Sequence, residues 1–140
     1  MGGRMKLWLL IAVLIAAPAQ ADVLGIWCAP EDDCTAAIVA EFDKATKSIK
    51  YSMYNFTSPP IADALIRAHG RGVKVTLLLD KRAQSTRYSQ AARCKAAGID
   101  VRTDGKHPIA HVKERIIDDK RVFYGSFNDS RQANRNREDL

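Results

Sequence analysis

Residues 48–80 read SIKYSMYNFTSPPIADALIRAHGRGVKVTLLLD, and this stretch decides the fold. Its first part alternates apolar and polar residues, with Ile49, Tyr51 and Met53 on one face, which predicts a strand. The middle part predicts a helix that Ser58 caps, with two prolines suited to its first turn and glycines at its end. The last part, VKVTLLLD, is almost continuously apolar and branched, as buried parallel strands are.

The flanking segments continue the alternation of helices and strands. Their patterns predict helices over 34–48 and 89–98, a short strand over 99–103, and two last strands over 111–118 and 121–127. The turn Asp118-Asp119-Lys120 between the last two predicts an antiparallel hairpin beside the parallel strands. We therefore expect an α/β fold with a mixed, mostly parallel sheet flanked by helices.

The first 21 residues differ from the rest of the chain. MGGRMK is basic, LWLLIAVLIAAP is an apolar run of 12 residues, and Ala19-Gln20-Ala21 is a small-x-small cleavage signal. This order is typical of a secretory signal peptide, and the run is shorter than the ~20 residues that span a bilayer. We expect residues 1–21 to be removed, leaving a domain over residues 22–140 in the periplasm or outside the cell.

An exported chain enters an oxidising compartment, which bears on its cysteines. Cys28 and Cys34 enclose five residues in WCAPEDDC. A disulfide between them would stabilise the fold by about 2 kcal/mol. No second Cys or His pair at metal-ligand spacing stands nearby, so the sequence favours a disulfide over a metal site.

Polar side chains collect near the last hairpin. His111 and Lys113 are two apart on a predicted strand, so their side chains share a face. Ser126 and Asn128 lie at the end of the partner strand, where Gly125 lets the backbone come close to a bound molecule. An imidazole can attack phosphorus while an ammonium and neutral donors hold the nonbridging oxygens of a phosphodiester. Because no acidic cluster at metal spacing is present, we expect this chemistry to need no metal and no other cofactor.

The pattern HxKxxxxDxxxxxxGSxN over residues 111–128 resembles the HKD motif of the phospholipase D superfamily. The resemblance implies that His111 is the nucleophile, which forms a phosphohistidine, and that Lys113 clamps the phosphate. It also implies that Ser126 and Asn128 support the phosphate.

Two carboxylates enter through the same resemblance. Asp118 of the motif would hold the motif's geometry. The superfamily places a glutamate after GSxN that orients the histidine through its other ring nitrogen. Glu138 in NRED is the nearest match and falls about one residue early, with Asp139 as the alternative.

The resemblance extends beyond the motif. The leader, the cysteine loop, YNFTSPPIADALIRAHGRGVKVTLLLDK and KHPIAH are all similar to small, exported bacterial endonucleases of that superfamily. Their chemistry uses two histidines, whereas this chain has one motif, so the resemblance implies a homodimer with the active site across its two-fold axis. The family continues past the position of Leu140, so we expect the chain to be truncated and to lack a C-terminal strand and helix.

Three residues are candidates for substrate binding. Lys81 and Arg82 follow the strongest predicted strand, at the end where α/β sheets usually place their sites. His107 precedes Pro108 in a predicted loop. All three could contact a nucleic-acid backbone, but a solvated basic loop and an exposed histidine explain the same residues.

The leading functional hypothesis is a metal-independent phosphodiesterase that hydrolyses nucleic acid, DNA or RNA, with low sequence specificity, since no base-reading element appears. The formal net charge of +6, or +4 without residues 1–21, favours an anionic partner. The alternative is a phospholipase D that hydrolyses phosphatidylcholine-type phospholipid to phosphatidate. It should carry an apolar loop or amphipathic surface helix, which the sequence does not show outside the leader. A third hypothesis is an inactive, truncated nucleic-acid-binding remnant.

One departure from the family pattern concerns the strand that follows the motif lysine. The family has apolar residues there, whereas this chain has Glu114 and Arg115. If the strand is covered on both faces, we expect Glu114 to be a buried charge, which costs several kcal/mol unless it is paired.

Overall fold

The computed structural model describes residues 22–140. The predicted signal peptide lies outside the described residues, so its removal stays a prediction. The strands of the described part are β1 (Cys28–Ala29), β2 (Ser48–Met53), β3 (Lys74–Asp80), β4 (Asp100–Asp104), β5 (Lys113–Ile117), β6 (Arg121–Tyr124) and β7 (Glu138–Asp139). The helices are α1 (Cys34–Asp43), α2 (Pro59–Gly70), α3 (Lys81–Ser85) and α4 (Ala91–Ala96), with a 3-10 turn over Ala133–Arg135.

Five strands form one mixed sheet in the order β4-β3-β2-β5-β6. β2, β3 and β4 pair in parallel, while β5 pairs antiparallel with both β2 and β6. Four of these five strands therefore run in the same direction. The prediction of a mixed, mostly parallel sheet that is flanked by helices and carries an antiparallel hairpin beside the parallel strands is confirmed.

The two faces of this sheet differ in what covers them. Side chains alternate along a strand, and on one face Tyr51 and Leu77 are almost fully buried. The ring of Phe42 in α1 packs 6.4 Å from the ring of Tyr51, so the helices lie on this face. The opposite face exposes apolar side chains, among them Leu78 and Tyr124.

A second, two-stranded sheet joins the two ends of the described chain. β1 pairs antiparallel with β7, and Cys28 stands opposite Asp139. Gly125 lies against β7, where an added Cβ atom would overlap the carbonyl oxygen of Asp139. The structure therefore gives Gly125 a different reason from the one inferred from sequence: β7, rather than a bound molecule, needs the close approach.

The cysteine loop leads into α1. Asp33 caps this helix, since its Oδ1 atom accepts a hydrogen bond from the Ala36 amide at 2.9 Å. Cys34 is buried at the start of the helix. The side chain of Cys28 is not among those that the structure describes, so the Cys28–Cys34 disulfide stays a prediction.

Two predicted elements differ from the observed ones. β5 begins at Lys113, so His111 precedes the strand rather than lying on it. The stretch after β3 is not only a loop, because it contains the short helix α3. Asp80 caps α3 by accepting a hydrogen bond from the Arg82 amide at 2.8 Å.

The expected buried charge is also on a different residue. Glu114 is half-buried, whereas Arg115 is completely buried and pairs with the equally buried Asp129. Lys113 points to the covered face of the sheet, and alternation gives Arg115 the same face and Glu114 the other. The prediction for Glu114 was wrong because it assumed a strand covered on both sides.

Candidate active site

His111 and Lys113 meet at the first residue of β5. The Nζ atom of Lys113 lies 2.9 Å from Nε2 and 3.2 Å from Nδ1 of His111, within hydrogen-bond distance of both ring nitrogens. Lys113 is 4% exposed, while the His111 ring stands open to solvent. Burial lowers the pKa of the Lys113 ammonium; nearby Glu138 opposes this shift and Arg115 adds to it.

Tyr54 contacts both of these side chains, and sequence reasoning missed it. Its ring centroid lies 4.6 Å from that of His111 in an edge-on arrangement, and 5.1 Å from Nζ of Lys113. The Tyr54 amide donates to the carbonyl of Val112 at 2.8 Å, which fixes the chain between the two motif residues. The only sequence signal for Tyr54 was its place just after β2, at the edge where parallel strands end.

The loop after β6 carries the candidates Ser126 and Asn128, and both of them contact residues of β7. The Asn128 amide donates to Oε2 of Glu138 at 2.7 Å, and the Asp139 amide donates to Oγ of Ser126 at 2.8 Å. Oδ1 of Asn128 is buried without a hydrogen-bond partner in the described structure. Glu138 is thus close to Lys113 electrostatically and to Asn128 directly.

Glu138 uses its carboxylate on the loop and not, in the described contacts, on His111. Its second oxygen accepts a hydrogen bond from Nδ2 of Asn136 at 3.1 Å. Both ring nitrogens of His111 instead face Lys113. The role of Glu138 in orienting the histidine therefore stays a prediction.

Asp118 lies away from this group, at the opposite end of β5. Its carboxylate accepts hydrogen bonds from the amides of Thr46, Lys47 and Ser48 and from the Thr46 hydroxyl, at 2.7–3.2 Å. These bonds, the Ser48 amide above all, lower the pKa of Asp118 to about 2. Since β5 spans five residues at about 3.4 Å each, Asp118 cannot touch a phosphate held by Lys113. It holds the hairpin to the segment before β2.

Lys81, Arg82 and His107 lie at the edge of the sheet where β3 and β4 end, which is also the edge of Tyr54 and His111. Lys81 and Arg82 are exposed in α3. The ring of His107 is 69% exposed and its Nδ1 atom lies 2.8 Å from Oδ2 of Asp104. None of the three has a described contact with His111, so their binding role stays a prediction.

Asp80, the last residue of β3, forms hydrogen bonds that hold two segments at this edge of the sheet. Its Oδ1 accepts from the Arg82 amide and its Oδ2 from the Ala110 amide, both at 2.8 Å. Burial alone would raise the pKa of this carboxyl, but the two amides and the nearby cations bring its pKa below the usual value. Asp80 therefore fixes the segment just before His111 to the end of β3.

A buried ion pair anchors the loop that carries Asn128. The guanidinium of Arg115 contacts both carboxylate oxygens of Asp129, and its Nη2 donates to the Phe127 carbonyl at 3.0 Å. The Asp129 carbonyl in turn accepts from the amides of Thr57 and Ser58 at 2.8 and 2.9 Å. β5, the Asn128 loop and the start of α2 are thereby tied together in the core.

Two further properties bear on function. Within residues 22–140 no three His, Cys, Asp or Glu side chains are grouped so that they could hold a metal ion. None of the helices in the same range has the length and apolar character needed to cross a bilayer.

Comparison with known proteins relates this arrangement to one family. The family model described as "Cardiolipin synthase, PLD-like domain" matches residues 38–140. A phospholipase D of Rickettsia conorii is 42% identical over 99 residues, which are 71% of this chain and 50% of that protein. The chain thus spans about half the length of the curated relatives that it matches.

Two solved structures share the fold. Nuc from Salmonella typhimurium, a phospholipase D family member, superposes with a TM-score of 0.75 at 36% identity, over 82% of this chain and 79% of that one. NucT from Helicobacter pylori gives a TM-score of 0.71 at 25% identity, over 83% and 81% of the two chains.

Proposed function

Since this chain belongs to the phospholipase D superfamily, we propose that residues 22–140 form a metal-independent phosphodiesterase that hydrolyses nucleic acid with low sequence specificity. The observation that carries the proposal is the His111 ring held 2.9 Å from the Lys113 ammonium. It puts a nucleophile beside a cation that can bind the phosphate to be attacked.

In the proposed reaction, a neutral nitrogen of His111 forms a bond to phosphorus while the bond from phosphorus to the leaving oxygen breaks. The imidazolium of a second histidine gives its proton to that oxygen. Water then attacks the phosphohistidine and passes a proton back to the second histidine, and the P–N bond breaks to restore His111. Since one imidazole must be neutral and the other protonated, activity should follow a bell-shaped pH curve.

The second histidine comes from another copy of the chain in this proposal. Of the other two histidines, His69 lies at the end of α2 and His107 is engaged with Asp104. Ile109 and Val112 flank His111 and are 49% and 39% exposed. A symmetric partner packed across the site would cover these apolar side chains and bring the two imidazoles together.

The nucleic-acid assignment rests on charge and on the resemblance to small exported endonucleases. A formal net charge of +4 over residues 22–140 attracts a polyanion. Export would place the enzyme in the periplasm or outside the cell, where nucleic acid would be foreign or released material.

A phospholipid substrate is the second candidate, and the structure adds an observation in its favour. The sequence suggested no apolar surface outside the leader, but Val23, Leu24 and Ile26 are all at least 73% exposed. Exposed aliphatic side chains of this kind can enter a bilayer interface. The name of the relative from Rickettsia conorii, phospholipase D, also favours this second candidate.

One experiment separates these functions. Purified residues 22–140 are incubated in excess chelator with plasmid DNA and, separately, with short-chain phosphatidylcholine, beside His111→Ala. His69→Ala is the matched control, because it removes an imidazole far from the site. We expect DNA cleavage that survives the chelator and is lost only in His111→Ala.

The other outcomes point elsewhere. Release of choline without DNA cleavage would support the phospholipase, and DNA binding without turnover would support a non-catalytic remnant. Cleavage that disappears with chelator would falsify the metal-independent mechanism.

A further inference from the structure

The surface beside the candidate active site carries two arginines that converge on one exposed tyrosine. The guanidinium carbon of Arg131 lies 5.0 Å from the ring centroid of Tyr88, and that of Arg87 lies 5.4 Å from it. Tyr88 is 52% exposed. We propose that this group, together with the adjoining cavity, binds the nucleotide next to the scissile phosphate of a single-stranded nucleic acid. The inference rests on the proposed function, whose site it extends.

The position of Arg131 connects the cluster to the site. Arg131 follows Asn128 by three residues, so their Cα atoms are at most about 11 Å apart. The Arg131 amide donates to Oγ1 of Thr57 at 3.2 Å, which fixes the arginine to the segment that follows β2. A nucleotide bound here would therefore be a close neighbour of a phosphate at Lys113.

The charge of the cluster is not neutralised within the protein. Among the described residues no carboxylate lies within 4 Å of the guanidinium groups of Arg87 or Arg131, whereas Arg67, Arg93 and Arg102 each have one. Because both groups lie about 5 Å from one ring, they are within about 10 Å of each other. Two unpaired cations beside one exposed ring attract an anion to this patch of surface, and arginine matches the geometry of a phosphate.

Arg131 also lines a cavity of about 370 Å³. Its lining includes Ser58, Pro59 and Ser130. Ser58 is only 3% exposed, yet its hydroxyl makes no capping hydrogen bond. The cavity thus combines the hydroxyls of Ser58 and Ser130 with the apolar ring of Pro59. Its volume is that of small-ligand sites, and this combination suits the sugar and base of one nucleotide.

The prolines at the start of α2 decide where the phosphate goes. A helix N-terminus normally binds anions through its free amides, but Pro59 and Pro60 occupy the first two positions and carry no N–H. The arginines are the stronger phosphate ligands here. The nucleoside, rather than the phosphate, is left to occupy the cavity, and its base must be unstacked to do so, which selects a single strand.

Binding measurements in the His111→Ala background test this without turnover. Three double variants combine His111→Ala with Arg131→Gln, Arg87→Gln or Tyr88→Leu. Fluorescence anisotropy measures the affinity of each for a fluorescein-labelled single-stranded oligonucleotide. We expect each arginine change to weaken binding about five- to tenfold and to reduce the slope of log affinity against log salt by about 0.7. Two matched controls, Lys120→Gln on the far turn and Tyr124→Leu on the open sheet face, should change affinity less than about twofold.

Two further ligands, an abasic oligonucleotide and duplex DNA, test whether the site binds a base of a single strand. A fully abasic oligonucleotide should bind more weakly than the normal one, and duplex DNA should lose less affinity on Arg131→Gln than the single strand does. Equal losses in the arginine variants and Lys120→Gln would overturn the subsite. So would variants that lose binding to phosphatidylglycerol vesicles while keeping oligonucleotide affinity, which would assign the arginines to lipid headgroups.

This result is separable from the proposed function. If wild-type protein cleaves DNA in chelator but Arg131→Gln keeps both its affinity and its KM, the subsite is wrong and the function stands. If no cleavage occurs but the arginine variants still lose oligonucleotide affinity against the controls, the binding site stands and the catalytic proposal fails.

Discussion

The two ends of β5 treat their charged side chains in opposite ways. At the first end, the Lys113 ammonium is buried, its pKa is lowered, and it contacts the solvent-open ring of His111 and the ring of Tyr54. At the last end, Asp118 is surrounded by three backbone amides and a hydroxyl, and its pKa falls to about 2. The Lys113 ammonium thus has few hydrogen-bond partners in the protein, whereas the Asp118 carboxylate has almost all the hydrogen bonds that it can accept.

Within the five residues of β5, one end therefore offers a charge to a substrate and the other end uses its charge to stabilise the fold. A group that the fold does not satisfy keeps its binding capacity for a substrate, and it costs the folded state some stability. A group that the fold satisfies fully stabilises the fold and has nothing left to offer a ligand. The two motif residues therefore differ in what they contact: Lys113 lies against His111, whereas the Asp118 carboxylate bonds only to groups of the protein at the other end of β5.

The largest effect should come from the site end. His111→Ala should lower kcat/KM by about 10⁴-fold or more, because the proposed nucleophile is gone. Its free energy of unfolding should stay within about 0.5 kcal/mol of wild type, since the ring is exposed. Steady-state cleavage and urea unfolding on the same preparations measure both, and a large loss of stability would break the proposed separation.

The next effect concerns the middle of the strand, where Arg115 and Asp129 are buried together. Arg115→Met should reduce the free energy of unfolding by about 3–5 kcal/mol, because it leaves the Asp129 carboxylate buried and unpaired. Adding Asp129→Leu should recover much of that loss. Arg102→Met, which breaks an exposed pair with Asp100, should cost less than about 1 kcal/mol. Urea midpoints that show simple additivity would rule out the coupling.

At the frame end, Asp118→Asn should cost about 2 kcal/mol of unfolding free energy, because an amide cannot satisfy the three N–H groups as the carboxylate does. Activity per folded molecule should change less than about twofold, since Asp118 does not reach the site. Asp119→Asn is the matched control. It loses only an exposed ion pair with Lys50 and should cost less than about 1 kcal/mol. A catalytic defect in folded Asp118→Asn would contradict the assignment.

The smallest effect should appear in the pH dependence of stability, which should rise with pH at both ends of β5 but in two separate pH ranges. Asp118 has a folded pKa of about 2 against an ordinary value of 3.8. Its contribution is therefore full above pH 4 and is lost as the pH falls towards 2. The pKa of Lys113 is lowered from 10.5, so the folded state releases its proton first and stability should rise with pH between the lowered pKa and 10.5.

Chemical unfolding across both pH ranges checks this. The difference between wild type and Asp118→Asn should shrink in acid, and the alkaline gain should be absent from Lys113→Met. A gain in stability for wild type relative to Asp118→Asn on acidification would reverse the assigned sign.

The architecture could be predicted because local periodicity specifies it. Buried residues alternate along β2 and along most of β3, and α2 between them begins at prolines and ends at glycine. These local signals compete with nothing elsewhere in the chain, so the strand-helix-strand unit and the final hairpin follow from the sequence. The motif spacing likewise brought His111 and Lys113 together correctly.

What failed or was missed depends on contacts between distant residues. The contacts of Tyr54 with His111, of Arg131 with Tyr88 and of Arg115 with Asp129 all depend on how separate segments pack. Glu114 is a different case, because alternation from Lys113 already assigned the covered face to Arg115. Its expected burial depended on a sheet covered on both faces, which is a property of the whole fold.

The pairing of β1 with β7 has a consequence for when the site comes into being. Cys28 and Asp139 are about 110 residues apart in sequence, and such long-range pairs close late in folding. Glu138, together with the amide that contacts Ser126, is supplied by this last strand. The surroundings of Ser126 and Asn128 are therefore assembled by contacts between segments far apart in sequence, and they should form only after β7 has paired with β1.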